Sequence, residues 1–182
     1  MTMPLLPRRP LAAAGIAALA LGALVAVTHA AAGPERPVRP ATHGIVHLNT
    51  QVNLPRGVWT NVPLQVVLPK AGTYELDADV RGRLAGSPAL NTFITARLWN
   101  VTAGAEVPQS ERIVYQIIDL NAGAAQAGGN ATAPINELIT VSGPTTIALQ
   151  TVRNDAAGAA SIAQIYSDGA GYTSLRFDRV NP

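Results

Sequence analysis

The chain has 182 residues, of which 48% are hydrophobic, 13% charged and only 4% aromatic. Thirteen bases stand against eleven acids, and residues 1–32 hold two of those bases, Arg8 and Arg9, and no acid, so the remainder carries eleven of each. A neutral chain lacks the electrostatic footprint of a nucleic-acid or anionic-membrane binder, and the absence of cysteine excludes a disulfide framework and a lipid-bearing thiol.

The first segment has the layout of an export signal. Arg8 and Arg9 give a positive start, and Leu11 to Val27 is an uncharged apolar stretch. Ala30-Ala31-Ala32 then fits a small-x-small cleavage site before Gly33, with Thr28-His29-Ala30 as the alternative. Residues 1–32 are expected to form a helical signal peptide, and no membrane segment is expected after its cleavage. An uncleaved anchor is the competing reading, because the apolar stretch reaches the lower edge of bilayer-spanning length. Arg8-Arg9 is also a weak hint of twin-arginine export, although Pro7 and Pro10 flank it. Residues 33–42 begin GPERPVRPA, and so many prolines read as an extended linker. Residues 43–182 are left for one domain, of a size at which a hydrophobic core alone suffices.

From Thr42 the pattern changes to short alternating runs set off by Gly, Pro, Asn and Asp, the signature of an all-β sandwich or barrel. A weak run spans Gly44 to Val52. Val58 to Leu68 places Val62, Leu64, Val66 and Leu68 on one side. The clearest run is TYELDADVRGRL, residues 73–84, with Tyr74, Leu76, Ala78 and Val80 on one face and Glu75, Asp77, Asp79 and Arg81 on the other. Its apolar period is two, which excludes a helix. Phe93 to Val101 sets Ile94, Ala96 and Leu98 against Thr95, Arg97 and Trp99. Arg112 to Leu120 offers Ile113, Tyr115 and Ile117. Ile135 to Val141 is nearly continuous in apolar character, the pattern of a strand buried on both faces. Thr145 to Arg153 offers Ile147, Leu149 and Thr151. Ser161 to Tyr166 runs into Asp168-Gly169, a hairpin signal, and Thr173 to Val180 puts Leu175 and Phe177 inside. Residues 102–109, 122–133 and 155–163 read as Ala- and Gly-rich loops. The expectation is an all-β, antiparallel sandwich of about eight to ten strands.

The stretch LPKAGTYELDADVRGRL resembles the jelly-roll domains of the tumour necrosis factor and complement globular-head superfamily, together with bacterial secreted relatives. There a strand ends in a Pro/Gly turn and Gly-x-Tyr, here Gly72-Thr73-Tyr74, opens an alternating strand. ITARLWNVTAGAEVPQSERIVYQI is similar to the next hairpin of that family, and PTTIALQTVRN to a late strand. The resemblance covers about Gln51 to Val180. It implies a two-sheet jelly roll that assembles as a homotrimer and acts by binding rather than catalysis.

The alternating acids are the first chemical candidates. Glu75, Asp77 and Asp79 lie about 6.6–7 Å apart along a strand. They read as a solvated face whose charges meet an arginine from a neighbour such as Arg97, Arg112, Arg176 or Arg179. Calcium is the alternative, and adjacent acids would need a neighbouring strand or loop to share an ion within about 2.6 Å. A hydrolase pair is the third reading, which the spacing permits but which needs a cleft and one carboxyl raised in pKa. His43 and His47 lie about 13 Å apart on one strand, too far to share a metal. No G-x-S-x-G elbow is present, and Gly169-Ala170-Gly171 lacks the following helix of a phosphate cradle. Asn100-Val101-Thr102 and Asn130-Ala131-Thr132 are sequons, idle in the bacterium that the composition suggests.

Trp99, sharing a strand face with Arg97, and Trp59 are the candidates for a ligand or interface contact, since exposed tryptophan stacks on sugars and anchors interfaces. Together these readings describe a secreted, extracellular, non-catalytic binding or structural protein, without cofactor and without nucleic acid as partner. A homotrimer and a surface glycan or protein partner are expected. A carbohydrate-binding module using Trp99 is the alternative, and a carboxylate-dependent secreted hydrolase the next.

Overall fold

The computed structural model describes residues 42–123 and 125–180, and every regular element among them is a β-strand. The expected signal peptide and nearly all of the Pro-rich linker lie outside the described residues. The strands form two antiparallel sheets, one of six strands and one of five.

The six-stranded sheet is built on β4 (Gly72–Gly86). One edge of β4 pairs along its whole length with β8 (Ala127–Val141). The other edge pairs first with β10 (Ile162–Ile165) and then, in line with it, with β11 (Ser174–Arg179). Outside these lie β1 (His43–His47) on β11 and β2 (Val52–Asn53) on β10. The five-stranded sheet runs from β3 (Thr60–Leu68) through β9 (Thr145–Ala157) to β5 (Leu90–Asn100). Its last row is β7 (Arg112–Asp119) with β6 (Ala105–Glu106) in line. Each sheet therefore has four rows, and every passage between rows crosses to the other sheet except the β5–β7 hairpin. That strand order is a jelly roll.

The core lies between the sheets, as alternation demands. Tyr74, Leu76, Ala78 and Val80 of β4 face Val62, Leu64, Val66 and Leu68 of β3 and the inward residues of β5 and β9 in one buried cluster. Each buried Val or Leu among them contributes about 1.5–3 kcal/mol on leaving water. Tyr74 also donates its hydroxyl to the Lys70 carbonyl at 2.9 Å, which keeps its polar end satisfied. At Gly82 the opposing sheet comes so close that a Cβ would sit 2.9 Å from Val114.

Several local expectations are corrected. Residues 122–133 are not a loop throughout: from Ala127 onward they are strand, because β4 extends that far and its edge needs a partner. Likewise β9 continues to Ala157, into the stretch read as loop. Ile135–Val141 is not buried on both faces. It belongs to an edge strand, Leu138 is 66% exposed, and its burial alternates. On β7 the register shifts opposite Ile94 and Thr95, with Val114 as the extra residue. That bulge turns Val114 inward and leaves Ile113 58% exposed.

The turn at Asp168-Gly169 forms, with Asp168 bridged to Gly171, but it is not a hairpin between paired strands. β10 and β11 run in the same direction along β4, and residues 166–173 are an excursion between them. Arg81, on the β4 edge opposite this gap, holds the excursion. Its guanidinium donates to the Asp168 carboxylate at 2.5 Å and to the Gly171 carbonyl, and its backbone amide donates to Thr173 Oγ1 at 3.0 Å. The bond from Arg81, helped by the Ala170 amide, keeps the Asp168 carboxyl below the ordinary carboxylate range. Tyr166 packs between Arg81 and Arg83, each 4.8 Å from its ring centre.

The alternation on β4 makes a direct prediction for urea unfolding. Leu76→Ala lowers the unfolding free energy by about 2–5 kcal/mol, from lost burial and the cavity left behind. Glu75→Ala changes it by no more than about 0.5 kcal/mol.

Candidate functional site

The outer faces of the two sheets carry the candidate residues, and they differ in character. On the six-stranded sheet, Glu75, Asp77 and Asp79 point outward in a line, as expected of one strand face. Cross-strand register places Asp77 beside Arg176 of β11 and Asn136 of β8. Arg176 grips the Asp77 carboxylate through both Nε and a terminal nitrogen, and Asn136 donates to its other oxygen at 2.5 Å. Of the four arginines considered as partners, Arg176 is the one that reaches the row. Arg97 pairs with Glu106, Arg112 with Glu137, and Arg179 donates to the Ala71 carbonyl. Glu75 and Asp79 sit beside Asp178 and Ser174 of β11. Among the described residues, no three acids or imidazoles converge as metal ligands would. His43 is exposed at the start of β1, while the His47 ring lies 5.2 Å from that of Tyr172.

On the five-stranded sheet the structure brings together all three residues singled out for binding. The Arg97 guanidinium lies between two indoles, 3.8 Å from the ring centre of Trp59 and 4.7 Å from that of Trp99. Local structure explains the stack. Arg97 and Trp99 are alternate residues on β5 and so share its outer face, and Trp59 arrives just before β3 begins. Arg97 is held from two further sides, donating to Gln150 Oε1 at 3.0 Å and to Glu106 at 3.2 Å. A planar cation fixed between aromatic faces is a site where lysine is a poor substitute.

Beside the stack opens a cleft of about 570 Å³. Trp99 and Val101 form one wall, Asn61 and Gln65 the other, and Ala148 and Gln150 lie between them. Two cross-strand rows build it. Asn61, Gln150 and Arg97 are in register across β3, β9 and β5, and the next row is Gln65, Ala148 and Trp99. Between these rows β3 bulges: Val62, Pro63 and Leu64 stand against Leu149 alone. Pro63 has no amide hydrogen for the ladder and is tolerated because β3 is an edge strand.

The sequence pointed to Trp99, Arg97 and Trp59 but missed Asn61, Gln65 and Gln150. The one sequence signal for them is Pro63 inside an alternating run, which marks a bulge or an edge.

No family model matches the chain, and no curated protein is similar to it in sequence. Among solved structures it is similar to Eiger TNF from S. frugiperda, with 13% identity and a TM-score of 0.45, over 79% of this chain and 94% of that one. It is also similar to the structure of the infectious bursal disease virus Gx strain, with 16% identity and a TM-score of 0.43, over 74% of this chain and 31% of that one. The crystal structure of the VP2 subviral particle of infectious bursal disease virus gives 15% identity and a TM-score of 0.39, over 74% and 32%. The chain spans about a third of the length of these viral chains.

The stack makes its own prediction. Arg97→Ala destabilises the domain by on the order of 1–2 kcal/mol, from the two lost cation–aromatic contacts. Arg97→Lys recovers less than half of that loss, since lysine lacks the planar fork. Denaturant unfolding measures both, and a red shift of the tryptophan emission accompanies the alanine variant.

Proposed function

We propose that the protein is exported to the cell exterior, is bacterial, and works there as a non-catalytic binding domain through the outer face of its five-stranded sheet. The observation that carries this is the cleft against Trp99. Its wall is an indole held in place by Arg97, so the surface is pre-organised, which lowers the ordering cost of binding. Its lining holds amides and apolar groups but no carboxylate, imidazole or amine. Binding needs only shape and hydrogen bonds, whereas acid–base chemistry needs a titratable group within reach of the reacting atoms. Export rests on the charge and hydropathy of residues 1–32, with Gly33 as the first residue of the mature chain. Assembly as a homotrimer rests on the resemblance of residues 51–180 to the trimeric jelly-roll superfamily.

The full-length protein, expressed in a bacterial host, is expected in the medium or on the cell surface with Gly33 at its N-terminus. Trp99→Ala lowers its retention on the surface of those cells at least tenfold. Retention unchanged by this substitution removes the cleft as the binding surface. Light scattering on the secreted protein at micromolar concentration is expected to give three times the chain mass, and a clean monomer refutes the trimer.

A further inference from the structure

We infer that the cleft takes a neutral glycan, one sugar ring lying against Trp99 with its hydroxyls on the amides of Asn61, Gln65 and Gln150. The inference rests on the reading of this face as a binding surface and names what it binds.

The lining selects the ligand class. No charged side chain lines the cleft, so an anionic or cationic ligand would lose its hydration without gaining an ion pair. A purely apolar ligand would leave the Gln65 amide and the Asn61 NH2 group desolvated and unpaired, at a similar penalty. A sugar ring has both surfaces the site offers: C–H groups on its face and hydroxyls around its rim. The indole takes the C–H face. The floor between indole and amides is Ala148, the cross-strand partner of Trp99, and its single methyl leaves room for a ring. The volume of about 570 Å³ lies within the range of small-molecule sites, roughly 300–1,000 Å³.

The hydrogen-bond direction is also fixed. Arg97 has only donors, so the Gln150 atom that meets it at 3.0 Å is the carbonyl oxygen. The Gln150 amide nitrogen must then be the atom that faces Asn61, and it donates to Asn61 Oδ1 at 2.8 Å. Asn61 is left with its NH2 group free to donate. Gln65, exposed on the far side of the bulge, offers both a donor and an acceptor. A hydroxyl donates and accepts at once and can satisfy such a pair, whereas a methyl or a halide cannot. Arg97 does not itself line the cleft but backs two residues that do, Gln150 and Trp99. Its part is positioning, since it orients Gln150, and through it Asn61, while fixing the plane of Trp99.

An array of neutral, uronate-bearing and sialylated oligosaccharides, probed with the full-length protein, tests this. Wild type is expected to bind neutral members, with quenching or a blue shift of tryptophan emission. Trp99→Ala lowers that affinity at least tenfold, and Trp99→Phe restores part of it. Gln65→Ala, on an exposed side chain whose loss leaves the unfolding midpoint unchanged, lowers it about three- to tenfold. Arg97→Lys lowers affinity while leaving the ranking among neutral glycans intact, as a positioning residue should. If only acidic glycans bind, or if Gln65→Ala and Trp99→Ala bind neutral glycans like wild type, the inference fails. If no glycan binds but Trp99-dependent retention on cells persists, the ligand class is wrong and the binding surface stands. If both are absent, the binding surface falls as well.

Discussion

The fifteen residues of β4 present a hydrogen-bonding edge on each side, and both edges are taken by other strands along most of their length. The inward face of the same strand has to be apolar for the sandwich to close. These two demands account for much of the rest. On one side a partner as long as β4 is required, and β8 supplies it with AGGNATA, a sequence that has little strand propensity of its own. Its small residues are what the position allows: at Gly129 a Cβ would meet the Tyr115 hydroxyl at 2.3 Å. Tertiary pairing thus overrides local preference, and glycine, weak in an isolated strand, becomes the residue that lets β7 pack under β8.

On the other side β4 is served by two shorter strands in line, and the break between them falls at Val80 and Arg81. An interruption there would leave the Arg81 backbone unpaired inside the sheet. Thr173 Oγ1 accepts from its amide, and the Tyr166 amide donates to its carbonyl at 3.2 Å. The arginine side chain then ties down the excursion that caused the break. A residue that looks in sequence like the next polar position of an alternating strand proves to be the anchor of a loop more than eighty positions away.

The fold was legible where one strand carried its own pattern. The inward sets of β3, β4 and β11 were read residue by residue, because burial on one face writes the period of two directly into the sequence. Legibility failed where conformation is set by a neighbour. The first half of β8 has no pattern, since its outward and inward positions are both small. The bulge at Val114 reverses the parity of β7, and a parity change depends on the partner strand, which no single run reveals. The site divides in the same way. Trp59, Arg97 and Trp99 stand out by type, and two of them by shared strand parity. Asn61, Gln65 and Gln150 are ordinary exposed amides until cross-strand register aligns them.

The two outer faces also differ in how their charges are used. On the six-stranded sheet several charges are already committed to neighbours. Asp77 is held by Arg176 and Asn136, Arg81 by Asp168, and Arg83 by Gln164 and Gln51. A ligand arriving there would have to displace charge-assisted bonds before making its own. On the five-stranded sheet the one central charge, Arg97, is spent on Trp59, Trp99, Gln150 and Glu106. Those partners are groups that the arginine orients, and the remaining hydrogen-bonding capacity is pushed outward along Gln150 to Asn61. The bulge at Pro63 separates Asn61 from Gln65 just where that capacity ends. A fixed indole, an uncharged floor and outward-facing amides therefore converge on this sheet because its charge is buried in their support, whereas the opposite sheet uses its charges to close itself.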